Sequence, residues 1–372
     1  MKKIFIITGE YSGDKHAADV ARHILQHNPD VSIEAVGGEN LANAGVKLFC
    51  NHEKMSAVGL SLQIILNHIL LGKKIADYLI NDYKPDLVLL VDYGGFNLNI
   101  SKVLKKAGLK IFYYIPPQIW ASRKWRINTV KKYIDKVITI FPFEIPMYKE
   151  AGIDAVFAGH PLVNQLPTIS NKEEFFKEQG LDLNKKLVSI FPGSRIFEIK
   201  NLLKIFIKSA DMIREKYPDT QFVICQAPTI KDEQIIKEVP DYIKIIKHKN
   251  YELLALSDAL ILASGTVALE AALYETPMII SYRGPELFYL IYLLVRCITR
   301  VSLPNIITDS DIVPELVQGK AKPEIIAKHI EELISDENKA EEMKNKLRNV
   351  KHFLTDKNSA EEAAKIILSN IQ

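Results

Sequence analysis

Short runs of apolar, often β-branched residues recur along the first half of the chain, each followed by a polar turn and by apolar residues at helical spacing. The runs are hydrophobic at nearly every position, which is typical of strands buried on both faces of a parallel sheet. We therefore predict a first doubly wound α/β domain in residues 1–163. Its strands are predicted at Ile4–Thr8, Ile33–Gly37, Leu87–Asp92, Ile111–Ile115, Val137–Phe141 and Val156–Gly159.

A second series of the same kind follows a polar connector that contains Pro167 and the charged stretch Asn171–Glu178. It predicts a second Rossmann-like domain in residues 164–345, which faces the first across a cleft. Residues 346–372 carry apolar positions at helical spacing and predict a terminal helix that packs on the first domain or on a partner chain. The strands of the second domain are predicted at Leu187–Phe191, Phe222–Cys225, Ile243–Ile246, Ala259–Ala263 and Met278–Tyr282.

Composition and charge narrow the functional classes. The chain has 372 residues, 48% of them hydrophobic, and a formal net charge of +3. This length favours two domains, and the mild positive charge suits an anionic substrate or a membrane surface but is too weak to indicate nucleic acid. Cys50, Cys225 and Cys297 lack CxxC spacing and the histidines form no HxxxH pair, so we expect a protein of the reducing cytoplasm without a zinc site.

Two segments are unusually apolar: Ala57–Ile75 and Leu287–Ile298. Both are shorter than the ~20 residues that a membrane-spanning helix requires. Each segment can be a buried helix, or a surface that dips into a bilayer while nearby Lys and Arg meet anionic headgroups. In the first segment the candidate membrane or acyl contacts are Leu60, Leu62, Ile65, Leu66, Ile69 and Leu70.

Two turns in the second domain are candidates for binding a diphosphate. The first, Gly193-Ser194-Arg195, follows a predicted strand; its glycine would admit a ligand, its amides could donate to phosphate, and arginine adds a fork of donors. The second, Ser264-Gly265-Thr266, again joins strand to helix, and Glu270 one turn later could accept ribose hydroxyls. An ordinary turn and a simple helix cap explain each motif separately, but together they fit a nucleoside diphosphate.

The first domain carries a glycine-bearing turn, Gly9–Asp14, and an acid, Asp92, at the end of a predicted buried strand. The turn lacks the GxGxxG spacing of NAD-binding folds. Asp92 is a candidate general base toward a sugar hydroxyl, because the carboxyl ends of parallel strands face the ligand. The alternative is an aspartate that caps the next helix. Asp309-Ser310-Asp311 resembles a manganese-binding DxD, but its position in a polar loop predicts a surface turn.

The motifs together resemble those of the lipid-A-disaccharide synthases, a GT-B-type glycosyltransferase family, from the first strand to near the C terminus. The series also includes Asn305 in a Ser-Leu-Pro-Asn sequence. The motifs are, in order, Gly9–Asp14, Asp92–Asn97, Tyr113–Ala121, Phe141–Glu144, Gly159–Leu162, Pro192–Arg195, Ala263–Glu270 and Ser302–Asn305.

The resemblance implies inverting transfer of 2,3-diacylglucosamine from its UDP conjugate to 2,3-diacylglucosamine 1-phosphate, without a metal or other cofactor. It implies Asp92 as the base and a cytoplasmic protein associated peripherally with the inner membrane. Asn305 joins Gly193, Ser194, Arg195, Ser264, Gly265, Thr266 and Glu270 on the implied UDP side. The implied acceptor-side residues are Gly9, Glu10, Ser12, Gly13, Asp14 and Asn97.

The residues leave other functions and assemblies open. A UDP-GlcNAc 2-epimerase or a peptidoglycan-type transferase would share the two-domain architecture and a donor-side acid. A third interpretation is that the chain binds nucleotide-sugars or lipids without catalysing a reaction. The apolar terminal helix also leaves open a homodimer with exchanged C termini.

Overall fold

The computed structural model describes residues 1–51, 62–285, 289, 296–355 and 357–371. The chain forms two compact units. The first comprises Met1–Asn164 together with Leu354–Gln372, and the second comprises Gln165–Phe353. The chain therefore returns to its first unit at the C terminus.

The first unit is built on a parallel sheet with the strand order β3-β2-β1-β4-β5-β6-β7 in the part of the chain described. Its central strands are fully buried, as their continuous hydrophobicity predicts. The order reverses between β1 and β4, and ligands of such sheets bind at the carboxyl ends of the strands beside this point. The strands are β1 (Lys2–Ile7), β2 (Val31–Gly37), β3 (Lys47–Asn51), β4 (Leu87–Val91), β5 (Ile111–Tyr114), β6 (Lys136–Thr139) and β7 (Ala155–Phe157).

Helices connect these strands. A π-helical turn, Tyr78–Tyr83, directly follows the third helix. The helices in the first part of the chain are α1 (Tyr11–His27), α2 (Glu39–Asn43), α3 (Leu62–Asp77), α4 (Gly94–Lys106), α5 (Arg126–Tyr133), α6 (Glu144–Glu150) and α7 (Leu162–Gln165).

The second unit repeats the design, with a parallel sheet ordered β10-β9-β8-β11-β12-β13 among the described residues. Its order reverses between β8 and β11. The strands are β8 (Lys186–Phe191), β9 (Thr220–Gln226), β10 (Ile243–Lys247), β11 (Ala259–Ala263), β12 (Met278–Tyr282) and β13 (Glu315–Val317). The helices are α8 (Lys172–Glu178), α9 (Ile196–Lys216), α10 (Asn250–Leu256), α11 (Val267–Leu273), α12 (Leu303–Thr308), α13 (Pro323–Ser335) and α14 (Glu337–Leu354).

The last helix, α15 (Ser359–Leu368), packs against α1 of the same chain. Asn358 begins it by accepting hydrogen bonds from the amides of Ala360 and Glu361. Ala363 and Ile367 of α15 are fully buried in one apolar cluster with β1 and β4. The C-terminal segment is thus part of the core of the first unit.

The prediction of two doubly wound parallel sheets and a helical C-terminal region is confirmed. Two strands were missed: β3, with the sequence Lys-Leu-Phe-Cys-Asn, and the three-residue β13. Both lie at an edge of their sheet. Edge strands are short and only partly buried, so they lack the continuous apolar run on which the prediction depended.

Candidate active site

A cavity of about 560 Å³ lies in the second unit beside the ends of β8 and β11. It is located where the strand order reverses, as expected for a ligand site in this type of sheet. The structure brings the predicted donor-side residues together here, with the exception of Asn305. The lining includes the predicted Gly193, Ser194, Arg195, Ser264, Gly265, Thr266 and Glu270, and the additional Glu198, Gln226, His248 and Asn250.

Glu198 organises the turn after β8 and was missed from the sequence. Its Oε2 accepts hydrogen bonds from the amides of Ser194 at 2.8 Å and Arg195 at 3.2 Å. These amides, which are predicted to donate to phosphate, donate to Glu198 in this structure. A side chain on Gly193 would overlap Glu198, so this glycine makes room for the carboxylate rather than for a ligand. A glutamate three residues after a helix cap is a known capping pattern and was the available signal.

The side chain of Arg195 lies at the mouth of this cavity. It is 79% exposed, and its Nη1 is 3.2 Å from Oε1 of Glu198. The guanidinium is the solvent-exposed partner of this ion pair, whereas Glu198 is only 8% exposed and is held by the two backbone amides. Arg195 is therefore free to exchange Glu198 for an anionic ligand.

The turn after β11 presents small, accessible residues to the same cavity. The amide of Ser264 donates to the carbonyl of Ser281 at 2.9 Å, which ties the turn to β12. Gly265 and Thr266 are exposed, and no atom lies within 4 Å of the position that a Cβ on Gly265 would take. Burial, and then the charge of Glu270, raises the pKa of Tyr251, which places this carboxylate near the ring.

Asn305, which is predicted on the UDP side, forms its side-chain hydrogen bonds within the segment that follows it. It lines a different cavity, near Glu315, and only 1% of its surface is exposed. Its Nδ2 donates to the carbonyl of Val313 and to Oε1 of Glu315, both at 2.9 Å. Its Oδ1 accepts from the amides of Ile312 and Val313. All hydrogen-bonding positions of this amide are used within residues 305–315, so none remains for a ligand.

Asp92 follows β4 in the first unit, and both Asp92 and Tyr93 have the left-handed φ of 50°. Such backbone is rare outside glycine and clusters at functional sites. The carbonyl of Asp92 accepts hydrogen bonds from the Tyr113 hydroxyl and from Nδ2 of Asn97, both at 2.8 Å. Asp92 does not cap α4, whose N-cap is Tyr93 and has no side-chain bond. Burial, and then the nearby Glu10 carboxylate, raises the pKa of Asp92.

The glycine turn lies directly against this acid. A side chain on Gly9 would overlap the Tyr93 ring, and a Cβ on Gly13 would lie 3.5 Å from the Cβ of Asp92. Gly9 therefore allows the turn after β1 to approach the turn after β4, and Gly13 makes room for the side chain of Thr8, which a Cβ there would overlap. Glu10 and Ser12 are exposed at the start of α1.

Asp14 and Asn97, which are predicted on the acceptor side, have fully buried side chains that bond the backbone. The carboxylate of Asp14 accepts hydrogen bonds from the amides of Gly38 and Asn40 and from Nδ2 of Asn40. Nδ2 of Asn97 bonds the carbonyl of Asp92 and lies 3.3–3.4 Å from those of Val91 and Ile7. Asp14 fixes the start of α2, and Asn97 fixes the turn that carries Asp92.

An apolar cavity of about 700 Å³ adjoins the Asp92 turn, between α3 and α4. Its lining includes Ile69, Gly72, Tyr93, Phe96 and Val103. Nε2 of His68 and the hydroxyl of Tyr93 are 2.7 Å apart, which connects the cavity to the turn.

Three of the predicted membrane contacts are exposed on α3: Leu66 by 47%, Ile69 by 52% and Leu70 by 57%. Leu60 lies outside the described residues, as do the side chains of Leu62 and Ile65. Most of the second apolar segment, Leu287–Ile298, also lies outside them. None of the described helices has the length and hydrophobicity needed to cross a bilayer.

The two acids of the DxD-like turn, Asp309 and Asp311, form ion pairs with Arg300. Its Nη1 bonds Asp309 at 2.6 Å and its Nε bonds Asp311 at 2.7 Å. In the ranges that the structure covers, no group of three or more His, Cys, Asp or Glu side chains is arranged to hold a metal ion.

Residues 4–369 match the protein family described as Lipid-A-disaccharide synthetase. The chain belongs to this family. The lipid-A-disaccharide synthase of Syntrophus aciditrophicus is 35% identical over 380 residues, which cover 100% of this chain and 98% of that protein. The enzyme of Coxiella burnetii is 34% identical over 369 residues, covering 98% of each chain. The predicted class, a UDP-sugar-dependent glycosyltransferase of lipid A disaccharide synthesis, is confirmed.

Solved structures confirm the GT-B-type fold of this lipid-A-disaccharide synthase family member. S. aureus MnaA, in a co-structure with UDP, has a TM-score of 0.67 at 15% identity, with 100% of this chain and 96% of that chain covered. UDP-GlcNAc 2-epimerase from Neisseria meningitidis, bound to UDP-GlcNAc, has a TM-score of 0.62 at 16% identity, covering 100% and 99%. At these identities the likeness concerns the fold alone.

Proposed function

We propose that this chain transfers 2,3-diacylglucosamine from UDP to the 6-hydroxyl of 2,3-diacylglucosamine 1-phosphate, with inversion at the anomeric carbon. The products are the β-1,6-linked disaccharide 1-phosphate and UDP. The observation that carries the proposal is the cavity of the second unit, where Arg195, the Ser264–Thr266 turn and Glu270 line one space at the sheet's switch point.

In this proposal, the cavity of the second unit binds the UDP part of the donor. The guanidinium of Arg195 pairs with the diphosphate, since its fork of donors matches phosphate oxygens. The turn at Ser264-Gly265-Thr266 is open enough for a phosphate to approach its backbone closely. Glu270 accepts hydrogen bonds from the ribose hydroxyls. Fold relatives that bind UDP or UDP-GlcNAc support this assignment.

Asp92 is the proposed general base. Its carboxylate takes the proton of the acceptor's 6-hydroxyl as that oxygen attacks the anomeric carbon, while the bond from this carbon to the UDP oxygen breaks and UDP leaves with the electron pair. Burial raises the pKa of Asp92, which brings its basicity closer to that required at neutral pH. The hydrogen bonds from Tyr113 and Asn97 to the Asp92 carbonyl hold the left-handed backbone that carries the carboxylate.

The acyl chains are proposed to enter along α3. The exposed Leu66, Ile69 and Leu70 present an apolar surface to a lipid bilayer, and the apolar cavity beside Tyr93 is large enough to take part of a chain. We propose that the chain associates peripherally with the cytoplasmic face of the inner membrane. At that surface the donor can keep its acyl chains in the bilayer and its UDP group in water.

The test is analysis of the products by mass spectrometry after the purified chain is incubated with UDP-2,3-diacylglucosamine and 2,3-diacylglucosamine 1-phosphate. We expect the disaccharide 1-phosphate and an equal amount of UDP. A parallel incubation with UDP-GlcNAc should give no transfer and no epimer. Turnover of UDP-GlcNAc at a comparable rate would indicate an epimerase or another transferase. UDP binding without any product would indicate a non-catalytic binding protein.

A further inference from the structure

Arg126, the first residue of α5, lies beside the turn that carries Asp92 and was not identified from the sequence. Its Nη1 is 3.5 Å from the position that a Cβ on Gly94 would occupy. Burial, and then the charge of Asp92, raises the pKa of the fully buried Tyr113. The charge of Arg126 acts in the opposite direction and lowers it. The hydroxyl of Tyr113 also donates to the carbonyl of Asp92, so Arg126 and Asp92 both lie near Tyr113 and the turn at residues 92–94.

No carboxylate among the described residues forms an ion pair with Arg126. Burial lowers its pKa, and the next contribution comes from a second cation, Arg123, three residues earlier. Arg123 is exposed and has a left-handed φ of 58°. Two neighbouring guanidinium groups without an acid between them repel each other, and an anion bound between them would remove that repulsion.

Asp92 and Arg126 lie beside the same turn. Asp92 and Gly94 are two residues apart, so their Cα atoms are separated by at most about 7.6 Å. In a hexosamine ring, C1 and C5 are both bonded to the ring oxygen, so the anomeric phosphate and the 6-hydroxyl lie on the same edge of the sugar, a few ångströms apart. An acceptor whose 6-hydroxyl lies at Asp92 can therefore present its phosphate to a cation beside Gly94.

We propose that Arg126, assisted by Arg123, binds the anomeric phosphate of the acceptor sugar; this inference rests on the proposed function. The fork of an arginine can donate two parallel hydrogen bonds to a phosphate monoester and fix the orientation of the ring. Arg126 is thereby a specificity-determining residue, because it distinguishes the phosphorylated acceptor from a neutral one.

The experiment compares initial rates with 2,3-diacylglucosamine 1-phosphate and with its dephosphorylated counterpart for the wild type, Arg126→Gln and Arg126→Lys. For Arg126→Gln we expect the KM for the phosphorylated acceptor to rise roughly tenfold or more, because a charge-assisted contact is lost. The KM for the UDP-sugar should stay within about twofold of the wild-type value. Arg126→Lys, which keeps the charge but loses the fork, should fall between the two.

The matched control is Lys131→Gln, which removes an exposed cation from the same helix and should keep the wild-type preference for phosphate. Arg126→Gln with an unchanged preference, or with equal rises in both KM values, would overturn the inference. Thermal unfolding shows whether the variant is folded; if it is not, the exposed Arg123→Gln replaces it and should lose part of the preference. If the wild type showed no preference for the phosphorylated acceptor, the inference about Arg126 would be wrong. The proposed transfer reaction would not be contradicted by that result.

A wild type that makes no disaccharide from either acceptor would contradict the proposed function instead. Calorimetric titration of 2,3-diacylglucosamine 1-phosphate into the wild type and Arg126→Gln then tests the phosphate site without catalysis. Weaker binding by the variant supports the site, and equal binding overturns it.

Discussion

The turn after β4 and the turn after β8 each lie beside the point where the strand order of their sheet reverses, but they are built in opposite ways. The β4 turn carries a partly buried acid on left-handed backbone, and its carbonyl is held by Tyr113 and Asn97. The β8 turn carries an arginine that is 79% exposed and paired with a single carboxylate, Glu198. One turn fixes its functional group, and the other leaves it able to move.

The difference follows from what each group has to do. A general base must lie within hydrogen-bonding distance of one proton and have a suitable pKa, and both requirements favour a rigid, desolvated position. A cation that binds a diphosphate must exchange water and Glu198 for the ligand and release the product afterwards. A loosely held, exposed guanidinium can make this exchange at little energetic cost.

The largest effect should come from Asp92→Asn. Amide nitrogen cannot accept the proton, so kcat should fall by about 100- to 10,000-fold, while UDP affinity measured by calorimetry stays at the wild-type level. Asp82→Asn, which changes an exposed acid of the same unit, is the control. Full turnover by Asp92→Asn would show that the rigid turn does not hold the base.

Arg195→Ala tests the loosely held group. It removes a charge-assisted contact worth about 1.5–3 kcal/mol, so UDP affinity should fall by roughly 10- to 150-fold. The unfolding temperature should hardly change, because the Arg195 side chain is exposed and Glu198 keeps its hydrogen bonds from the amides of Ser194 and residue 195. The control is Lys208→Ala, which removes an exposed cation from α9, the helix that follows Arg195, and should leave UDP binding normal. Unchanged affinity of Arg195→Ala in calorimetry would exclude its role at the diphosphate.

The pH dependence of kcat/KM sharpens the contrast between the turns. Because burial raises the pKa of Asp92 above its usual 3.8, the ionised base is lost as pH falls through that raised value. The rate should decrease about tenfold per pH unit on the acid side and level off above it. UDP binding should show no corresponding decrease near that pKa. An acid limb that survives in Asp92→Asn would belong to another group.

The smallest effect is expected from Leu66, Ile69 and Leu70 changed together to Ser. These side chains are exposed, so the unfolding temperature should be nearly unchanged while association with anionic phospholipid vesicles, measured by flotation, falls several-fold. Met212 and Ile236 changed to Ser, which are exposed in the second unit, provide the control. A large drop in unfolding temperature would show instead that this part of α3 is core.

The sequence predicted the strands and the placement of Asp92 because continuous apolar runs and the polar residues that end them are local signals. The geometry of the Asp92 turn was not predictable in the same way. Tyr93 is an uncommon residue for left-handed backbone, and its conformation depends on Gly9, more than eighty positions away, leaving space for its ring.

Polar residues near a turn were harder to interpret. Asp14, Asn97 and Asn305 all occur in motifs beside the predicted sites, yet their side chains bond backbone groups in the interior. A sequence does not distinguish an amide that binds a ligand from one that holds a loop. Arg126 was missed for the opposite reason, since it stands outside any glycine-rich turn and only the fold brings it beside Gly94.

The return of α15 to α1 also has a consequence for biosynthesis. During translation the N-terminal unit emerges first, and domains generally begin to fold in that order. Here Ala363, Ile367 and Ile371 complete the apolar cluster of that unit. The apolar surface of α1 that α15 covers therefore stays exposed until the whole second unit has been synthesised. A nascent chain arrested before residue 359 would carry a first unit with an open core, a natural substrate for chaperones.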